Sequence, residues 1–183
     1  TILGNDNSVK MLTTQIEKIK LLEKLGVENL LIIKFTKEFA SLSAEDFIYD
    51  YLINGIGLTE IVLGHDHHFG KGRRGNAELL KKIGDKESFV VTKAEAFMVD
   101  GEAVSSTKIR NALLEGNITR ANKLLGRNYE FSGVVVGGDK RGRELGFPTA
   151  NIKLSSQEKL LPASGVYAVK VKVENENHIG LLS

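Results

Sequence analysis

Apolar positions follow two rhythms along the 183-residue chain, and the change falls near residue 127. Before it, runs with helical spacing alternate with short runs that are apolar almost throughout; after it, apolar and polar positions alternate one by one. Thr14 with Glu17 forms a capping box, and Ile16, Ile19, Leu22 and Leu25 continue at helical spacing until Gly26. The apolar side of that helix needs a sheet to cover. The run Asn29-Leu30-Leu31-Ile32-Ile33-Lys34-Phe35 predicts one strand of it, buried on both faces. Ser43 with Asp46 repeats the capping signature before Phe47, Ile48, Tyr51 and Leu52, a helix expected to end before Gly55 and Gly57. Glu60-Ile61-Val62-Leu63-Gly64 is the next short buried strand.

Two successive helix-then-strand units predict an α/β domain with an open parallel sheet. In such sheets ligands collect beyond the carboxyl ends of the strands, which is where Gly64-His65-Asp66-His67-His68-Phe69-Gly70 falls. Asn76 caps a helix through Leu79 and Leu80 that Gly84 is expected to stop, and Phe89-Val90-Val91 predicts a further inner strand. Asp100-Gly101 marks a turn between Phe97-Met98-Val99 and Ala103-Val104. Ile109, Ala112, Leu113 and Leu114 predict a helix, and a last one starts at Asn117, runs through Ala121, Leu124 and Leu125, and stops at Gly126.

Beyond residue 127, Phe131, Gly133, Val134, Val135 and Val136 read as a strand. Tyr167, Val169, Val171 and Val173 alternate with Ala168, Lys170, Lys172 and Glu174, the pattern of an antiparallel sheet or small barrel with one wet face. A few strands leave edges and an incomplete core, so the chain is expected to stop inside its second domain. The boundary is placed at 127, giving domains 1–127 and 128–183.

Composition narrows the function. Apolar residues make up 42% of the chain, enough for a real core, and the absence of cysteine excludes a disulfide scaffold and thiolate chemistry. With no apolar run of about 18 residues and no basic-then-apolar leader, the expectation is a cytoplasmic protein with no membrane contact. A net charge of +2 does not by itself imply nucleic acid. The cations cluster instead in Lys71-Gly72-Arg73-Arg74 and Lys140-Arg141-Gly142-Arg143, beside glycines, which favours small anions such as nucleotide phosphates.

The candidate chemistry lies in three stretches. In the first loop, Asp66 is the hydrogen-bonding candidate and Phe69 the apolar contact for a ring. The three histidines read as exposed loop residues rather than zinc ligands, since no second ligand cluster accompanies them. In Ser105-Ser106-Thr107-Lys108-Ile109-Arg110, three hydroxyls open a helix and Arg110 can neutralise a phosphate; simple capping would need only one of those hydroxyls. In the third, from Asp139 to Ile152, a basic glycine loop is followed by a stiff turn around Phe147-Pro148, with Thr149 and Asn151 as short polar groups at fixed spacing.

These stretches, in this order, resemble one family closely: the prokaryotic bifunctional riboflavin kinase and FAD synthetase of riboflavin metabolism. The likeness starts at Leu12-Thr13-Thr14 with Glu17-Lys18 and continues through Phe39-Ala40-Ser41-Leu42-Ser43. It is strongest in Leu63 to Gly70, Ser105 to Arg110, Leu125-Gly126-Arg127 with Tyr129, and Gly142 to Ile152; Leu161-Pro162 and Gly165-Val166-Tyr167-Ala168 add to it. The resemblance implies a nucleotidyltransferase-like (Rossmann-like) domain that transfers AMP from ATP to FMN, then part of a small antiparallel β-barrel that phosphorylates riboflavin.

By position, Gly64, Asp66 and Phe69 would serve the flavin or adenine pocket, and Ser105, Ser106, Thr107 and Arg110 the grip on ATP phosphates during adenylyl transfer. Thr149 and Asn151 would bind Mg²⁺ and nucleotide phosphates. Gly137-Gly138 and Lys140 to Arg143 would form a phosphate cover, with Gly137, Lys140 and Arg143 in direct contact. ATP, riboflavin, FMN and FAD are the implied substrates and products, and a monomer or weak homo-oligomer the implied assembly. Two expectations follow from departures: the family's early glycine-rich, histidine-containing ATP motif is missing before Thr1, and the chain ends before the glutamate that acts as kinase base. The main alternatives are a flavin- or nucleotide-binding module without turnover and a related nucleotidyltransferase for another substrate. The latter leaves Pro148-Thr149-Ala150-Asn151 unexplained.

Overall fold

The computed structural model describes residues 9–138, 146 and 149–183. Along the chain the elements are α1 (Gln15–Lys24), α2 (Lys37–Ala40), α3 (Ala44–Asp46), a π-helical stretch (Phe47–Ile53), α4 (Asn54–Ile56), β1 (Glu60–Leu63), a 3₁₀ turn (Lys71–Arg73), α5 (Ala77–Glu87), β2 (Val90–Lys93), β3 (Met98–Val99), β4 (Glu102–Ala103), α6 (Ser106–Leu114), α7 (Ile118–Leu125), β5 (Gly133–Val136), β6 (Asn151–Leu154), β7 (Tyr167–Val173) and β8 (Glu176–Leu182). The described residues divide into two compact units, one within 29–98 and the other within 9–28 and 99–183.

In the first unit β1 and β2 pair in parallel, Glu60 opposite Val90 and Leu63 opposite Lys93. Ile48, Leu63, Leu80, Ile83 and Phe89 form its core. Only one face of the strand pair is covered: Leu63 is buried, whereas Val62 and Val90 are well exposed, so the expectation of strands buried on both faces does not hold here. Nor does the apolar run Asn29–Phe35 become a strand. An extended run becomes part of a ladder only when a neighbour takes its backbone hydrogen bonds, and among the described residues none pairs with it.

Two helices run past their expected ends. The segment opened by Ser43, whose Oγ accepts from Asp46 N at 2.9 Å, continues through Gly55 and stops only at Gly57, which takes the left-handed φ of 67°. Its middle is π-helical, with Asn54 N donating to Tyr49 O five residues back. Helix α5, capped by Asn76 Oδ1 on Leu79 N at 2.9 Å, passes through Gly84 and ends at Ser88. Gly84 is there for close packing: a Cβ would lie 2.6 Å from the Phe89 carbonyl oxygen.

In the second unit α6 and α7 pack around Leu12, Ile109, Ala112, Leu113, Ala121, Leu124 and Leu160. The hairpin of β3 and β4 turns at Asp100 and Gly101, both with positive φ, as expected. β5 and β6 pair antiparallel, Val136 opposite Asn151, and β7 and β8 form a second antiparallel pair, Tyr167 opposite Leu182. Along β7, Tyr167, Val169 and Val171 are half-buried and Ala168, Lys170 and Lys172 exposed, the predicted alternation, but Val173, expected on the inner face, is exposed at the strand's end. Helix α1 forms with its capping box, Thr14 Oγ1 accepting from Glu17 N and Glu17 Oε2 from Thr14 N. It buries none of its residues, with Ile16 68% exposed, so the expected cover by a sheet is not seen among the described residues.

Candidate functional site

The loop after β1 is shaped by two close approaches. A Cβ on Gly70 would come within 2.7 Å of the Ala44 backbone, and one on Gly75 within 2.5 Å of the Phe69 ring. Phe69 and Gly75 exchange backbone hydrogen bonds of 3.1 and 2.9 Å, and Lys71 N donates to Leu42 O at 2.8 Å, so the loop is fastened at both sides. Gly64 and Asp66 are exposed; His65 Nδ1 lies 3.7 Å from Asp66 Oδ1, and His68 Nδ1 lies 2.9 Å from the Asp66 carbonyl. Phe69 is half-buried against Phe47 at 5.6 Å between ring centres, and Phe39, Tyr51 and Phe35 extend the cluster. His67 stacks on Phe69 at 6.3 Å. The aromatic cluster was not read from the sequence; the available signal was the density of aromatic residues between 35 and 69. Among the described residues no three His, Asp or Glu side chains gather as a metal site.

In the second unit the start of α6 presents Ser105, Ser106 and Thr107 to solvent. Ser105 is the cap, its Oγ accepting from Lys108 N at 3.3 Å, so one hydroxyl does what capping requires and two remain for other partners. Lys108 is already engaged: its Nζ donates to Ala103 O at 2.8 Å and pairs with Glu102 at 3.1 Å. Glu102 also meets Arg120 at 3.1 Å, and the Lys108 hydrogen bond, with help from Arg120, holds its carboxyl below the usual range. Arg110 donates from Nε to Lys10 O at 3.2 Å. Holding the guanidinium at Nε leaves its two terminal amino groups as a fork.

Gly137 follows β5, Thr149 precedes β6, and Asn151 is the first residue of β6; all are exposed. The Asn151 amide lies so close to Gly138 that a Cβ there would collide with it. The register of β5 and β6 brings the Gly137-Gly138 pair and Asn151 together. Lys140 and Arg143 lie outside the described residues. Thr149 and Asn151 offer neutral oxygens, a donor set that fits a Mg²⁺ held chiefly by phosphates and waters.

One buried group went unread. Lys159 is 4% exposed, and its Nζ donates to Glu17 Oε2 at 2.6 Å and Leu12 O at 2.9 Å while lying 4.5 Å from the centre of the Tyr129 ring. Burial lowers the Lys159 pKa, and Glu17 opposes the shift. Burial raises the Tyr129 phenol, reinforced by Glu17; that hydroxyl donates to Leu160 O at 2.7 Å. Local periodicity carries no sign of this cluster, since Lys159 lies 142 residues from Glu17 and 147 from Leu12.

Residues 1–108 match the family model described as FAD synthetase. The chain belongs to the FAD synthetase family. Residues 125–183 match the model described as riboflavin kinase, so the family's two modules follow one another here. Three relatives are named bifunctional riboflavin kinase/FMN adenylyltransferase. That of Buchnera aphidicola subsp. Schizaphis graminum is 44% identical over 98% of this chain and 57% of its own length. Those of Listeria monocytogenes and Escherichia coli are 41% and 39% identical, over 96% and 93% of this chain and 55% and 54% of their own. The chain thus spans a little over half the length of these relatives. A crystal structure described as a macrolide-efflux protein from Streptococcus pneumoniae superposes with a TM-score of 0.88 at 34% identity, over 98% of this chain and 58% of that one. Among the described residues no helix is long and apolar enough to cross a membrane.

Proposed function

We propose that the protein to which this chain belongs phosphorylates riboflavin to FMN and adenylylates FMN to FAD, using ATP and Mg²⁺. The observation that carries the reading is the tandem match, FAD synthetase over 1–108 and riboflavin kinase over 125–183. The functional boundary is placed near residue 127, close to the start of the riboflavin kinase match at residue 125, with 128–183 as the first part of the kinase barrel.

In adenylyl transfer, Ser106 and Thr107 at the start of α6 hold ATP phosphates together with the first N–H groups of the helix, which have no acceptor within it. The Arg110 fork takes charge that develops as the adenylyl group moves. Gly64, Asp66 and Phe69 border the flavin or adenine pocket, Phe69 giving a ring face backed by Phe47. In the kinase part, Thr149 and Asn151 hold Mg²⁺ and phosphate oxygens, and Gly137, Lys140 and Arg143 cover the phosphates. The metal neutralises phosphate charge when bound; the residues of this chain orient it.

A flavin-binding module without turnover is not favoured, because both matching models are those of enzymes. The protein is read as cytoplasmic, a monomer or weak homo-oligomer, and not a nucleic-acid binder, in keeping with a net charge of only +2. The full-length protein incubated with riboflavin, ATP and Mg²⁺ should yield FMN and then FAD by chromatography. Absence of both products refutes the proposal.

A further inference from the structure

Among the described residues Lys159 is the one buried charged side chain, and neither proposed activity uses it. We propose that Lys159, which lies within the riboflavin kinase match, is a positioning residue for Arg110 at the start of α6. The inference rests on the reading of that helix start as the grip on ATP phosphates.

The route is short. Lys159 sits between β6 and β7, and the backbone on either side of it is zipped to Met11: Met11 N donates to Glu158 O at 2.7 Å, and Leu160 N donates to Met11 O at 2.8 Å. Its ammonium adds the bond to Leu12 O and the ion pair to Glu17, which caps the following helix. Residues 10–12 are thereby fastened along their length. The Lys10 carbonyl, at the end of that stretch, accepts from Arg110 Nε. A guanidinium held at Nε by a fixed carbonyl has its terminal fork aimed, and bidentate phosphate recognition depends on that aim more than on charge alone.

The ammonium ties the strut from inside the fold, while Lys10 Nζ adds a solvent-exposed bond to Gln157 O at 2.6 Å. The Lys159 ammonium is satisfied by a carboxylate, a carbonyl and an aromatic face, all from segments distant in sequence. Without it residues 10–12 keep their two backbone bonds but lose the charged anchor, and the Arg110 fork gains freedom. A role confined to holding α1 in place would weaken the fold and both activities alike; a role in aiming Arg110 acts on ATP use in adenylyl transfer.

The test uses the full-length protein with Lys159→Met and, because the single change strands the Glu17 carboxylate, a second variant combining Lys159→Met with Glu17→Gln. In a folded variant the Arg110 Nε–H signal should exchange with solvent at least about tenfold faster by NMR. The kcat of FMN adenylylation should fall about tenfold with the KM for ATP within about twofold, as expected for a misaimed group that acts on developing charge. Riboflavin phosphorylation should stay within about twofold of wild type. Unchanged Arg110 Nε–H exchange overturns the proposal, as does a parallel fall of both activities. Failure of both variants to fold also overturns it, since Lys159 would then serve the fold as a whole. If Arg110→Ala leaves adenylylation unaltered, the reading of the helix start fails instead, while the Nε–H measurement still decides whether Lys159 positions Arg110.

Discussion

Replacing Gly84 with alanine sets two effects of known sign against each other. Position 84 lies inside α5, where alanine is favoured over glycine by about 1 kcal/mol because it restricts the unfolded chain. The new methyl would fall 2.6 Å from the Phe89 carbonyl oxygen and 3.2 Å from the Phe89 ring. Neither neighbour yields easily. Phe89 N donates back to Gly84 O at 3.2 Å, and the ring is 6% exposed in the core beneath β2. Overpacking costs about 1–3 kcal/mol, and a 2.6 Å contact with a backbone oxygen belongs in the upper half of that range, so the net expectation is a loss of about 1–2 kcal/mol despite the better helix former. For a chain of this length that lowers Tm by about 2–8 °C. The chain has no tryptophan, so urea and thermal unfolding are followed by far-ultraviolet circular dichroism, with exposed Lys82→Gly on the same helix calibrating the propensity effect. If Gly84→Ala is as stable as the wild type or more so while Lys82→Gly loses its expected 1 kcal/mol or so, the close-packing account is wrong.

Tyr129 gives a pH-dependent prediction. Its pKa is raised in the folded state, so its contribution is fully present below the unfolded value of 10.0 and is lost as pH rises from there toward the folded pKa. Lys159, lowered by burial, moves stability the opposite way over the alkaline range, so the comparison is between wild type and Tyr129→Phe rather than an absolute slope. The variant should lose about 1 kcal/mol near neutrality with its bond to Leu160 O, and the gap should close above pH 10 in chemical denaturation; a constant gap would refute the account. At the kinase turn, Gly138→Ala places a methyl on the Asn151 amide and should raise the Mg²⁺ concentration needed for riboflavin phosphorylation by about tenfold, with adenylylation unaltered. An unchanged Mg²⁺ titration would separate Asn151 from the metal.

The helix starts were legible because capping is local. Thr14, Ser43, Asn76, Ser105 and Asn117 each accept from the backbone N–H three residues on, as a hydroxyl or amide before an apolar periodic run predicts. The helix ends were less so, because a glycine in a sequence does not say whether it serves a positive φ or a close approach. Gly57 and Gly126 do the first; Gly84 does the second. The grouping of Gly138 with Asn151 follows from a strand register in which Val136 faces Asn151, and the intervening residues alone would not have specified it.

The order and spacing of short motifs, and the change of rhythm near residue 127, were enough to place the chain in its family and to nominate Asp66, the start of α6 and the Thr149–Asn151 turn. These are properties of neighbouring residues. What only the tertiary structure decided is which distant groups meet: that the apolar run Asn29–Phe35 finds no strand to pair with among the described residues, that Phe69 joins an aromatic cluster, and that Lys159 is buried on Glu17, Leu12 and Tyr129. A buried lysine is set by the carboxylate, carbonyl and ring that surround it, and those partners come from segments that periodicity cannot connect.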